Sequence, residues 1–174
     1  MGCNTLVPLG EKKEAVRVID TEHLREAVAS GLQQYLQCPV IRSNQTAAMP
    51  PYPFVCYTIT ALADGNSGTY GEYADGMVRK PHIQTWSITA YGDDYGESVK
   101  LANLARTWLD YAGRPELEAG GVIVQSVGQI SDRSNLLTVE YQYAFGFDCF
   151  FWLFDEIGNK IAQTGSIDEV EFTE

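Results

Sequence analysis

The spacing of hydrophobic residues predicts a helix near the start of the chain. Between Glu22 and Gln37 the apolar positions recur every three or four residues, the spacing of an amphipathic helix. Thr21 stands where such a helix needs an N-cap, and Pro39 follows where the chain can no longer continue it. We therefore expect a helix of about four turns that presents one apolar face to a core.

A second helix is predicted from Tyr95 to Ala112 by the same spacing. Asp93 and Asp94 precede it, and carboxylates at that position cap a helix and interact favourably with its dipole. We assign the two aspartates to capping rather than to a cation. Gly113 and Pro115 come next and are expected to close the helix.

Four segments have the β-branched and aromatic content of strands, and their polar and apolar residues alternate. They are Phe54–Leu62, Arg79–Tyr91, Val122–Ile130 and Leu136–Phe154, with a turn predicted at Ser131–Asn135 between the last two. The order is therefore helix, strand, strand, helix, strand, strand, with terminal additions. This order predicts an α+β fold in which two helices pack on one face of an antiparallel sheet.

The remaining segments define the expected domain organisation. We expect an N-terminal arm over residues 1–20, one domain over 21–155, and a C-terminal strand and acidic tail over 156–174, the strand at 160–164. Residues 63–78 are rich in glycine and too long for an ordinary connection. They form either a hairpin arm that contacts a partner or a mobile loop.

The end of the last predicted strand, Phe147 to Phe154, is apolar on both faces. One layer of helices covers only one face, so the other must be covered by the terminal segments or by another subunit. Asp148 lies within this strand and either faces solvent or pairs with a neighbouring chain. The candidate interface residues are Tyr70, Tyr73, Arg79, Trp86, Asp148, Phe150 and Trp152.

Charge and hydropathy exclude several classes of protein. The 174 residues carry a net charge of -11 with 12 lysines and arginines, which disfavours tight binding to nucleic acid. The sequence has no apolar run of 18 residues, no signal peptide, and Leu6 where myristoylation requires Ser or Thr. We expect a soluble protein of the cytoplasm with no membrane partner.

The sequence offers no known catalytic arrangement. It lacks G-x-S-x-G and H-E-x-x-H, and its glycine spacing meets neither the P-loop nor the dinucleotide fingerprint. The four cysteines form no C-x-x-C pair and are interpreted as buried thiols. We predict no enzymatic activity, no metal and no cofactor. A rival hypothesis is a regulatory domain whose glycine-rich loop covers a small molecule.

Several short clusters follow one another along the chain: Val40-Ile41-Arg42-Ser43-Asn44-Gln45, Pro50-Pro51-Tyr52-Pro53, Tyr91-Gly92, Gly121-Val122-Ile123-Val124 and Gly146-Phe147-Asp148. These clusters and the order of elements resemble the neck or tail terminator proteins of long-tailed bacteriophages, which also join heads to tails. The resemblance spans residues 21–153. The glycine-rich loop and the tail beyond Asp155 depart from the pattern.

The resemblance implies a structural virion protein of the neck, assembled in the host cytoplasm. Its subunits would close into a hexameric ring that caps the tail tube, ends tail elongation and meets the head connector. DNA would pass through the channel without specific binding. The partners implied are further copies of the chain, the tail-tube protein and the connector or stopper protein.

Overall fold

The computed structural model describes residues 21–64, 69–72, 78–137 and 140–157. Its helical elements are α1 (Thr21–Leu36), α2 (Tyr95–Thr107), a π-helical turn (Trp108–Ala112) and α3 (Arg114–Ala119). Its strands are β1 (Val40–Arg42), β2 (Phe54–Ala61), β3 (Gly71–Glu72), β4 (Val78–Gly92), β5 (Ile123–Val127), β6 (Ser131–Asp132), β7 (Asn135–Leu137) and β8 (Glu140–Ile157). The α+β class is confirmed.

The sheet is mixed, which corrects the prediction of a wholly antiparallel sheet. Its strands lie in the order β1-β2-β4-β8-β5, and β1 runs parallel to β2 while the other pairs are antiparallel. After α1, Gln37 takes a left-handed φ of 54° and the chain turns into β1. The proline-rich connection over residues 43–53 then returns the chain to the end where β1 began, so β2 repeats its direction.

The second helical segment differs from the prediction in where it ends. α2 stops at Thr107, and the π-helical turn carries the chain to Gly113. Pro115 lies in the first turn of α3 and therefore begins a third helix instead of closing the second. Proline is tolerated there because the first N–H groups of a helix have no partner within it. Asp94 caps α2 as expected, accepting a hydrogen bond from the Glu97 N–H at 2.8 Å.

The last hairpin is longer than predicted, and its reversal lies further along the chain. Ser131, expected in the turn, pairs with Gly146, and Leu137 pairs with Glu140. The chain therefore reverses between Leu137 and Glu140. The stretch over residues 131–135 has the composition of a turn, but its backbone continues the ladder along β8.

The core lies between the helices and one face of the sheet. α1 contributes Leu24, Val28 and Leu32, and α2 with the π-helical turn contributes Ala102, Ala105, Trp108 and Leu109. These pack on Tyr57, Trp86, Ile88, Phe147, Cys149 and Phe151 of the sheet. Gly31 of α1 lets the helix approach the Trp108 ring so closely that an added Cβ would overlap it.

Only part of the glycine-rich loop lies within the described residues. There, β3 pairs with Arg79 and Val78 of β4 in antiparallel register. The N-terminal arm over residues 1–20, the strand predicted over 160–164 and the acidic tail lie outside the residues described. Within the described ranges, no helix is both long and apolar enough to cross a membrane.

Candidate interaction surface

The helices cover one face of the sheet, and the opposite face, here called the outer face, is covered by no helix of the described residues. The even-numbered residues of β4 from His82 to Ala90 point to the helices and are buried. Its odd-numbered residues point to the outer face, as do the even-numbered residues of β8. Three zones follow one another along the outer face: an aromatic stack, an arginine clamp and an apolar patch.

The aromatic stack closes one end of the outer face. The Phe54 ring lies 5.5 Å from the Tyr52 ring and 4.9 Å from the Tyr91 ring, and both pairs are stacked. Gln142 donates a hydrogen bond to the Tyr52 hydroxyl at 3.2 Å. Burial raises the pKa of Tyr91 above its ordinary value. Phe54 is buried by these contacts, while Tyr52 at the outside of the stack remains 41% exposed.

The arginine clamp occupies the centre of the outer face. Arg133 donates from Nη1 to Ser87 Oγ at 2.7 Å and to Thr89 Oγ1 at 2.9 Å. Its Nη2 lies 3.1 Å from Asp148 Oδ1. Gly146 provides the space, since a Cβ there would lie 2.7 Å from Arg133 Nη1. The clamp therefore ties β4, β8 and the segment after β6 together.

The clamp supplies the partner that Asp148 needs. The side chain is half exposed and forms its ion pair within the same chain. The sequence left open whether Asp148 faces solvent or pairs with a neighbouring chain. The structure confirms that Asp148 faces solvent, and its counter-ion is Arg133 of the same chain. Sequence inspection missed Arg133 because it stands in a stretch with the composition of a turn.

The apolar patch forms the remaining zone and consists of Ile83, Ile123, Phe150, Trp152 and Phe154. Trp152 lies between Ile83 and Ile123 in cross-strand register, so β4, β8 and β5 each contribute one side chain to a single row. Trp152 is 41% exposed and Ile123 is 38% exposed. The Trp152 and Phe154 rings meet edge to face, with centroids 6.4 Å apart. The patch is therefore a continuous apolar surface that a partner can cover.

Two residues of the predicted interface, Phe150 and Trp152, lie in the apolar patch. Trp86 does not reach the surface: it is fully buried, and its Nε1 donates to Gln84 Oε1 at 2.6 Å. The prediction of an exposed Trp86 is therefore corrected. Both faces of β4, the strand that contains Trp86, carry bulky residues, so the alternation of its residues alone did not show which face packs against the helices.

Of the other predicted interface residues, Tyr70 and Arg79 are not among the five residues of the patch, and Tyr73 is not described. Tyr70 is exposed near β3, with Lys80 Nζ 5.7 Å from its ring centroid. Arg79 is half-buried at the start of β4. Tyr73 lies outside the described residues. Ile83 and Ile123 were not predicted; their membership of the patch depends on strand register, which the alternation of a single strand does not show.

The described residues place no group of three or more histidine, cysteine or acidic side chains where they could hold a metal ion. Cys38, Cys56 and Cys149 are buried and unpaired, as expected, while Cys3 lies outside the described residues. Burial raises the pKa of Cys56 to about 11 and that of Cys149 to about 12. Thiols in this state are poor nucleophiles at neutral pH.

Comparison with known protein families shows which family the chain is similar to. The family model described as phage neck terminator protein matches residues 26–174. The matched range includes the acidic tail, which the resemblance seen in the sequence had left out, and excludes the N-terminal arm. No curated protein matches the chain.

Proposed function

Because the chain belongs to the phage neck terminator family, a family of structural phage neck proteins, we propose that its subunits close into a hexameric ring that caps the tail tube. The ring ends tail elongation and joins the tail to the head connector. The observation that carries this proposal is the family match, which extends over most of the chain. The apolar patch supports it by supplying a surface for contact between subunits.

A closed ring requires a head-to-tail contact, in which two different surfaces of one subunit meet their counterparts on its two neighbours. The apolar patch fits one of these roles because it begins at the edge strand β5 and extends over β8 to β4 on one face of the sheet. The arginine clamp beside it carries no unbalanced charge, since Arg133 and Asp148 form an ion pair. A partner can therefore cover this region without burying an unpaired ion.

The charge of the chain supports a passive channel. A ring of six subunits, each with a net charge of -11, repels the phosphate backbone and lets DNA slide without being held. The function is geometric: one ring face is complementary to the tail tube, and the other meets the head connector without offering a site for another tube ring. Assembly takes place in the host cytoplasm and leaves the protein in the virion neck.

Native mass spectrometry and negative-stain microscopy of the purified chain, alone and mixed with its tail-tube protein, test the proposal. We expect hexameric rings in at least the mixed sample. Trp152→Ser should shift the population to monomers, because it removes the central side chain of the patch. Tyr111→Ser is the matched control, since Tyr111 is an exposed aromatic residue of the π-helical turn, away from the outer face. Monomers of the natural chain in both samples would refute the ring.

A further inference from the structure

We infer that the apolar patch of one subunit receives the C-terminal segment, residues 158–174, of the neighbouring subunit. This inference rests on the proposed ring and specifies how its head-to-tail contact is made. The two surfaces that a closed ring requires are then the patch on one subunit and the C-terminal segment on the next.

The size of the patch indicates a short segment as its occupant. It spans three strands about 4.8 Å apart and the residues from Phe150 to Phe154, about 13 Å along the strand direction. Its area is therefore on the order of 100 Å², whereas a stable contact between folded surfaces takes about 800 Å² from each partner. An extended segment of about five residues matches the patch, and the rest of the segment adds the missing contact area.

Two terminal segments lie outside the described residues, and two observations favour the C-terminal one. First, it continues from β8, whose last described residue, Ile157, is three positions beyond Phe154 of the patch. The N-terminal arm instead leads into α1, on the opposite face of the sheet. Second, the family match runs through residue 174 but begins only at residue 26. The C-terminal segment therefore lies within the part of the chain that the family model covers, whereas the N-terminal arm does not.

The composition of the segment suits this role. It carries Ile161, Ile167, Val170 and Phe172 among polar residues, with four carboxylates in its last seven residues. Apolar side chains at intervals can fill a shallow patch, while the carboxylates remain in water at the rim of the contact. The same carboxylates keep the segment soluble before assembly.

The reach of the segment permits exchange between subunits. Its seventeen residues extend to about 55 Å, whereas a compact chain of 174 residues is about 40 Å across. β8 runs past the patch and its described part ends at Ile157, so the chain must reverse its direction to cover the patch of its own subunit. We therefore assign the contact to the neighbouring subunit.

Deletion of residues 158–174 tests the inference in the full assembly. Native mass spectrometry should show rings of the natural chain and monomers of the truncated chain, with the unfolding midpoint of the truncated domain showing that it still folds. As a smaller change, Phe172→Ser should weaken the ring, and the adjacent control Thr173→Ser should not. Rings that survive the deletion would overturn the inference while leaving the ring proposal standing. Monomers of the natural chain, alone and with the tail-tube protein, would overturn both.

Photocrosslinking identifies the partner surface even if the truncated chain fails to fold. With benzoylphenylalanine in place of Phe172, irradiation should give covalent dimers and higher species on a denaturing gel. The crosslinked peptide should contain Trp152 or Ile123. Crosslinks confined to single chains would show that the segment covers its own patch, and crosslinks to the tail-tube protein or to another surface would equally overturn the inference.

Discussion

Gly146→Ala tests whether the close packing of the arginine clamp stabilises the sheet. A Cβ at this position would lie 2.6 Å from the Ile88 carbonyl oxygen and 2.7 Å from both Arg133 Nη1 and Thr89 Oγ1. The Arg133 guanidinium can move away, but it then gives up its hydrogen bonds to Ser87 and Thr89. The Ile88 carbonyl belongs to the backbone of β4 and cannot move without disturbing the sheet.

The expected loss follows from these two effects. Overpacking beside a fixed carbonyl costs about 1–3 kcal/mol. Two hydrogen bonds to a partly exposed guanidinium contribute about 1 kcal/mol each. Alanine restricts the unfolded chain and returns up to about 1 kcal/mol. The free energy of unfolding should therefore fall by about 2–4 kcal/mol, and Tm by roughly 5–15 °C.

Urea unfolding followed by tryptophan fluorescence measures this loss. Gly71→Ala is the matched control, because a Cβ there meets no atom within 4 Å, and its stability should stay within about 0.5 kcal/mol of the natural chain. In an Arg133→Ala background, the cost of Gly146→Ala should fall by about 1 kcal/mol or more, since one collision is gone. A Gly146→Ala variant as stable as the natural chain would refute this reasoning.

Three further predictions concern stability. Asp94→Ala should cost about 1 kcal/mol in urea unfolding by removing the cap of α2, and no loss would contradict the capping role. Gly31→Ala should cost about 1–3 kcal/mol and alter the fluorescence of Trp108; unchanged stability and fluorescence would show that the helix can move away from the ring. Burial raises the pKa of Cys149 from 9.0 to about 12, because the folded chain favours the neutral thiol. The contribution of this thiol to the free energy of unfolding is therefore complete below pH 9 and is lost as the pH rises towards 12. Between pH 8 and pH 10 the natural chain should therefore lose about 1 kcal/mol more of its free energy of unfolding than Cys149→Ala loses, and equal slopes over that range would contradict this.

The elements that could be predicted from the sequence are those whose signals are local. The periodicity of α1 and the alternation in β2 and β4 depend on residues close together in the chain. These three elements lie within one or two residues of their predicted bounds. The parallel pairing of β1 depends instead on the path of a connection with no periodicity. Pro115 was ambiguous because proline is tolerated in a helix's first turn as readily as it follows a helix's end.

The interaction surface could be predicted only in part, for the same reason. Phe150 and Trp152 were identified because their strand is apolar on both faces. Trp86 was named as a candidate interface residue but lies in the core, since the sequence does not show which of the two bulky faces of β4 meets the helices. Ile83 and Ile123 join the patch through register between strands far apart in sequence. Long-range pairing is the information that local pattern lacks.

The structure also explains a cluster that supported the resemblance to tail terminators. In Gly146-Phe147-Asp148, the glycine makes room for Arg133, Phe147 is buried in the core, and Asp148 pairs with Arg133. The three residues therefore hold the centre of the outer face in place, next to the apolar patch. Their spacing follows from the alternation of β8.

A ring that ends tail elongation should limit the growth of the tail tube, so tube polymerisation measures the proposed action of this chain. Purified tail-tube protein is allowed to polymerise with increasing amounts of the chain, and tube lengths and ends are measured by electron microscopy. We expect tubes to become shorter as the chain is added and to carry a six-subunit ring at one end, whereas the Trp152→Ser variant should leave their length unchanged. Tubes of unchanged length, without a ring at either end, would contradict the proposal.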